Sequence, residues 1–233
     1  MSEAGPGRAH ARRAAAPPSR RCTGSRTLTA AENYRYGRPM APAIESDVTT
    51  RRWRRVEYER LVDLGMFAGE RLELLDGLLV VREPQGSSHA AVVEQIGRVL
   101  AAAFGDGWHA RRHSPLALGE HSEPEPDVAV VAGMPRDYVA AHPSTAALVV
   151  EVADSSLRLD RRVKANVYAR AGVSEYWIVN LVAHTLEVYR DPQPAADAAN
   201  DWAYRSTDTL SPPADVAPLW APGVRIPLAD LLP

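Results

Sequence analysis

The sequence predicts an α/β (α+β) fold: a mixed β-sheet flanked by helices. Three observations carry that prediction. Valine-dense runs at 127–132 (DVAVVA) and 147–153 (ALVVEVA), joined by 175–181 (EYWIVNL), read as buried central strands. Around them lie stretches whose apolar residues recur at helical spacing. Turn residues punctuate the rest, most plainly Asp76-Gly77 between two short apolar runs. Strands and helices that alternate in this way pack as a sheet covered by helices.

Taken in order, residues 1–45 are rich in Ala, Arg, Pro, Gly and Ser and show no hydrophobic period, so they are expected to be disordered. No continuous apolar stretch follows the arginines, which argues against a signal peptide. The segment could be a transit peptide or a nucleic-acid arm; we read residues 1–39 as upstream sequence, with Met40 as the start. Order is expected from about residue 50, as one domain over 50–233. Residues 54–66 place Val56, Leu61, Val62 and Leu64 at roughly helical spacing, and Gly69 ends that helix. Residues 71–75 and 78–82 form a hairpin around Asp76-Gly77. Ser87 or Ser88 can cap a helix to about Phe104, with Val92, Val93, Ile96, Val99 and Leu100 as its buried stripe. Strand-like runs follow at 108–114 and 116–118, and 133–146 reads as a loop with Gly133, Pro135 and Pro143. A helix over 159–171 carries Val163, Val167 and Ala171 on one face and stops at Gly172. Residues 185–190 should pair with 175–181 as a hairpin, 191–201 should be a polar loop, and a strand near 202–206 and a Pro-rich tail with 224–232 close the chain.

Composition excludes some functions. The 233 residues hold no apolar run near the ~18 residues of a membrane-spanning helix. One cysteine, Cys22, excludes an intramolecular disulfide framework and a Cys-based zinc cluster, and suits a reducing, cytoplasmic setting. The formal charge of −2 hides a split. Residues 1–39 hold eight arginines and two acids, a net +6; the remainder has 19 basic and 27 acidic residues, a net −8. An acidic body is not a ready-made surface for a phosphate backbone. Of 27 basic residues, 26 are arginine and one is lysine, Lys164. Where arginine is used almost everywhere, a retained lysine points to a need for a compact, titratable ammonium.

Acids embedded in apolar strands mark where chemistry could sit. Glu151 interrupts Leu148-Val149-Val150-Glu151-Val152, and a buried carboxylate needs a metal, a cation or hydrogen-bond donors. Asp127 opens the other valine strand. If the two strands are antiparallel neighbours, Asp127 lies beside Glu151, a pair suited to Mg²⁺ or Mn²⁺. The plainer readings are a turn role for Asp127 and a salt bridge for Glu151. Lys164, thirteen residues on, could orient or deprotonate a water there, or stabilise charge on a phosphate; the plainer reading is a solvated lysine facing Asp160. Glu73 alternates with Leu72 and Leu74 and is either an exposed acid or a further metal ligand. His89, at a helix start, could bind metal or phosphate, or sit on the surface, and Glu123 and Glu125 read as a solvated acidic run. Tyr168, Tyr176 and Trp177 read first as core. Arg51, Arg52, Arg54, Arg55, Arg111 and Arg112 are candidate backbone contacts.

Several of these motifs together resemble the Uma family of bacterial endonucleases. They are Glu-Leu-Leu-Asp-Gly (73–77), Ser-Ser-His (87–89), Glu-Pro-Asp-Val (125–128) and Val-Glu-Val-Ala-Asp-Ser-Ser-Leu (150–157), then Asp160, Lys164 and the run 168–179 (YARAGVSEYWIV). The resemblance covers about residues 52–190. It implies the PD-(D/E)XK superfamily, a restriction-endonuclease-like core, and a Mg²⁺- or Mn²⁺-dependent endonuclease acting on nucleic acid, with DNA expected. By position it makes Asp127 and Glu151 metal ligands, with Glu73 and His89 completing the site. The superfamily's lysine normally stands two residues after the glutamate, where this chain has Ala153; the family pattern places it on the following helix, at Lys164. Two-strand cutting would suit a homodimer. The alternative is an inactive nuclease-fold module for binding or assembly.

Overall fold

The computed structural model describes residues 50–195 and 201–233. The expectations for residues 1–45 and Met40 lie outside the described residues; of the expected polar loop 191–201, residues 196–200 lie outside them, and 191–194 are not loop but the end of one continuous strand, Thr185–Pro194, extended there by pairing with the strand that starts at Trp202. Everything described falls in one compact unit, Thr50–Pro233.

A helix α1 (Arg55–Asp63) leads into the hairpin of β1 (Leu72–Leu75) and β2 (Leu78–Val81). Asp76 (φ 49°) and Gly77 (φ 77°) make the turn, and Leu75 pairs with Leu78 across it. Two consecutive positive φ values are what a two-residue turn needs to match the strand twist. The long helix α2 (Ser87–Phe104) follows. Then come β3 (Trp108–Arg112), β4 (Val128–Ala132) and β5 (Leu148–Ala153). The next helical segment has three parts: α3 (Leu157–Leu159), a π-helical stretch (Asp160–Lys164) and α4 (Ala165–Arg170). Strands β6 (Glu175–Asn180), β7 (Thr185–Pro194) and β8 (Trp202–Leu210) follow, and β9 (Asp215–Val216) pairs with β10 (Ile226–Pro227).

Six strands form one mixed sheet in the order β3-β4-β5-β6-β7-β8. Only β5 and β6 are parallel, because the helix after β5 carries the chain back across a face before β6 begins. The other neighbours are antiparallel. This is the mixed, helix-flanked sheet that the valine runs predict. The strand period of two then divides the side chains. Val128, Val130, Leu148, Val150, Val152, Trp177 and Val179 pack with Val92, Val93, Ile96 and Leu100 of α2. Ala129, Val131, Val149, Ala153, Tyr176 and Ile178 face Val167, Tyr168 and Ala169 of α4. Position 151 falls on the second face, so Glu151 points toward the helix that bears Lys164.

Four local expectations are corrected. In α1 only Tyr58 is buried; Val56, Val62 and Leu64 are exposed, so its apolar spacing does not mark a core face. Gly86, not a serine, is the N-cap of α2, and its backbone is extended there. Val163 is 38% exposed whereas Lys164 is 4% exposed. The π-helical stretch shifts the helical register, so Asp160 and Lys164 rather than Val163 face inward. Residues 116–118 form no named strand, only an isolated bridge from Leu118 to Ser122.

Candidate active site

The antiparallel register pairs Val128 with Val150, which sets Asp127 beside the end of β5. Its Oδ2 accepts a hydrogen bond from the Val152 backbone N–H at 2.8 Å. Glu73 on β1, 1% exposed, comes in from the hairpin, so it is neither surface nor part of the leucine packing of its strand. Lys164 Nζ lies 2.9 Å from Glu151 Oε1 and 3.3 Å from Glu73 Oε2. Four of the five sequence-predicted residues (Glu73, Asp127, Glu151 and Lys164) are thus gathered, all nearly sealed from solvent. The fifth, His89 near the start of α2, has Nε2 3.3 Å from Asp127 Oδ1 but makes no hydrogen bond with it. These residues line one cavity of about 240 Å³, shared with Arg82, Gln85, Asp154, Ser156 and Asp160.

Sequence reasoning missed several participants. Arg82, just past β2, reaches Glu73 Oε1 at 2.9 Å, Glu125 Oε2 at 3.1 Å and Asp127 Oδ1 at 3.3 Å. Gln85 donates to Asp127 Oδ1 at 3.0 Å. Tyr168 donates to Glu151 Oε1 at 2.6 Å, so a residue assigned to core also touches the site. His113 (φ 44°) sits with Nδ1 3.5 Å from Asp127 Oδ1 and without a hydrogen bond there. An Arg at the far end of a hairpin strand carries no local signal. An i,i+4 spacing from Lys164 could have singled out Tyr168. Glu123, expected in solvent, is buried, and Glu125 is partly buried on Arg82. The candidate backbone-contact arginines are already engaged: Arg51 with Glu57, Arg52 with Asp76, Arg54 with Glu120, Arg55 with Glu59 and Arg112 with Glu94, while Arg111 lies over the Tyr138 ring.

The electrostatics follow from counting buried charge. Three carboxylates (Glu73, Asp127, Glu151) face two cations (Arg82, Lys164), and Asp160 stands nearby. Burial works to raise Asp127, but the adjacent His89 ring, then the Val152 N–H and the charge of Lys164, hold its carboxyl below the usual range. Burial pushes Glu151 up to about 8 against the pull of Lys164, with the charges of Asp127, Asp160 and Glu73 adding to the rise. Burial likewise lifts Asp160 to about 6. Lys164 goes the other way from a lone buried amine: Glu151, Glu73 and Asp160 outweigh desolvation and raise it. The two shifts agree. With carboxylates in surplus around one ammonium, the charged form of Lys164 and the neutral form of Glu151 are both favoured.

A divalent cation fits this set in kind and in charge. Carboxylate oxygens are the donors hard cations take, and added positive charge would offset the burial and the like charges that raise Glu151. Both donors to Glu151 fall on Oε1; none among the described residues falls on Oε2. The fit requires side chains to move. Among the described residues no three His, Asp or Glu side chains already stand as a ready-made cage, and Arg82 bridges Glu73 and Asp127.

The comparisons with known proteins bear on this site. The chain is similar in structure to a putative nuclease belonging to DUF820 from Anabaena variabilis, with a TM-score of 0.56 and 16% identity, over 73% of this chain and 96% of that one. At that identity the likeness is one of fold. No curated protein matches. The Uma2 family, described as "Putative restriction endonuclease", matches residues 55–228. Because that span runs from α1 through β10 and encloses every residue gathered round the cavity, the chain belongs to the Uma2 family.

Proposed function

We propose that this protein is a nuclease that hydrolyses phosphodiester bonds of nucleic acid, with DNA as the substrate and Mg²⁺ or Mn²⁺ as the cofactor. The family match and the nuclease-like fold support the broad reading. The observation that carries it is the meeting of Glu73, Asp127 and Glu151 with the chain's only lysine in one cavity.

Glu73, Asp127 and Glu151 would hold the cation. When bound there, it supplies Lewis acidity, polarising a phosphoryl oxygen and lowering the pKa of water. The chain's own groups do the rest. The acids around Lys164 favour its charged form, which suits it to donate a hydrogen bond. Its Nζ can hold the attacking water or a phosphate oxygen and offset negative charge as it develops. His89, on the cavity wall with an unbonded Nε2, can donate to or accept from the same groups. An acidic body repels a phosphate backbone, so phosphate contact would rest on the bound cation together with Lys164.

Arg82 favours a second reading. Its guanidinium already neutralises Glu73 and Asp127, as it would in a nuclease fold retained only for binding or assembly. Cleavage of plasmid and single-stranded DNA with Mg²⁺ or Mn²⁺ separates the two. We expect the wild type to cut, and Lys164→Ala and Glu151→Ala each to lose roughly 100-fold or more while keeping their circular dichroism spectra. Variants that cut as well as the wild type would remove these residues from the reaction. A wild type that neither cuts nor binds Mn²⁺ would favour the module.

A further inference from the structure

Glu151 is gripped unevenly. Lys164 Nζ, at 2.9 Å, and Tyr168 Oη, at 2.6 Å, both donate to Oε1. No donor among the described residues reaches Oε2, although the residue lines the cavity. The two donors come from one helical segment, four residues apart, and so lie on one face. Their aim depends on the π-helical stretch. There the Ala165 N–H bonds to the Asp160 carbonyl five residues back, and the Tyr176 hydroxyl donates to that same carbonyl at 3.2 Å. Tyr168 is fully buried, and its ring packs against Tyr176 at 5.0 Å between centroids. Packing thus restrains the phenol, and its hydroxyl points at a carboxylate rather than at backbone.

We infer that Tyr168 is a positioning residue for Glu151: with Lys164 it clamps one carboxylate oxygen so that the other is presented to the cavity as a pre-oriented ligand for a divalent cation. The inference rests on the metal-dependent reading above and adds to it the device that aims its glutamate. Hydrogen bonds that orient a ligating carboxylate are worth about 10–100-fold in metal affinity. A tyrosine that only filled space would give up its hydroxyl without any such change.

The test is Mn²⁺ binding to the full chain by isothermal titration calorimetry, comparing wild type, Tyr168→Phe and Tyr204→Phe. Tyr204 is the control. It is also buried and packed in the tyrosine cluster, but its hydroxyl donates to the Val173 carbonyl at 2.9 Å. We expect Tyr168→Phe to bind Mn²⁺ on the order of 10-fold more weakly and Tyr204→Phe to bind like the wild type. In DNA cleavage, Tyr168→Phe should lower kcat at fixed Mn²⁺, recover with excess Mn²⁺, and leave KM for DNA in place. If the wild type binds Mn²⁺ and Tyr168→Phe binds it equally well, the positioning role is overturned and the nuclease reading stands. Equal weakening in both tyrosine variants also overturns it, since loosened packing then accounts for the loss. A wild type that binds no Mn²⁺ sinks the metal-dependent reading, and this inference with it.

Discussion

A lysine sealed inside a protein ordinarily tends to lose its charge, because burial favours the neutral amine. At Lys164 the charged form is favoured instead, because Glu151 and Glu73 stand within 3.3 Å. Arg82 is the second internal cation, and its removal should show what the acids need. On the proposed reading, Arg82→Met leaves Glu73 with Lys164 as its one cation and Asp127 with the Gln85 and Val152 donors but no guanidinium, and costs about 3 kcal/mol without added cation. Mn²⁺ should restore more melting temperature to that variant than it adds to the wild type; an equal gain in both would show that Arg82 does not compete for the carboxylates. Glu123 gives a pH prediction away from the site. Burial, then the neighbouring Glu59 carboxyl, raises it from the usual 4.5 to about 8. Between those values the folded protein binds more protons than the unfolded chain, so this group lowers stability as pH rises from about 4.5 to 8. Glu123→Gln should flatten that slope, with a gain on the order of 2 kcal/mol over the wild type at pH 8 relative to pH 5. Parallel stability curves for the two proteins would count against a buried, proton-holding Glu123.

Two elements decide whether the site assembles. The β1–β2 hairpin delivers Glu73 from one strand and Arg82 from just beyond the other. Its turn depends on Gly77, where φ is 77° and a Cβ would overlap Arg52. Gly77→Ala should therefore cost about 1–3 kcal/mol in urea unfolding. An unchanged midpoint would mean the turn can be rebuilt at no cost. The π-helical stretch is the other device. It turns Asp160 and Lys164 inward while leaving Val163 on the surface. Such stretches are uncommon and often occur at functional sites.

Across the whole molecule, the site sits where β1, β4, β5 and the helical segment after β5 converge, so ligand binding should couple to global stability. At a hundred times its Kd, Mn²⁺ should add about 2.7 kcal/mol, a rise of roughly 5–10 °C in Tm. Asp127→Ala should abolish that rise, and excess EDTA should reverse it in the wild type. A cation-induced rise that survives Asp127→Ala would place the cation elsewhere. Among the described residues no helix is long and apolar enough to cross a membrane.

Elements whose signals are local are legible in the amino-acid sequence. Valine-dense runs mark the central strands, Asp76-Gly77 marks the hairpin, and the stripe from Val92 to Leu100 marks α2. The sequence also marks Asp127, Glu151 and Lys164, because a carboxylate inside an apolar run and a lone lysine among arginines stand out by composition. What those groups touch is set by the folded chain. Glu73 and Lys164 meet across 91 residues of chain, and Arg82 meets Asp127 across 45. Contacts at such separation depend on strand register and on the path of the helix after β5, which no window of periodicity contains. The exposed apolar residues of α1 misled for the same reason: helical spacing gives a face, but the neighbours supplied by the rest of the fold decide whether that face is buried.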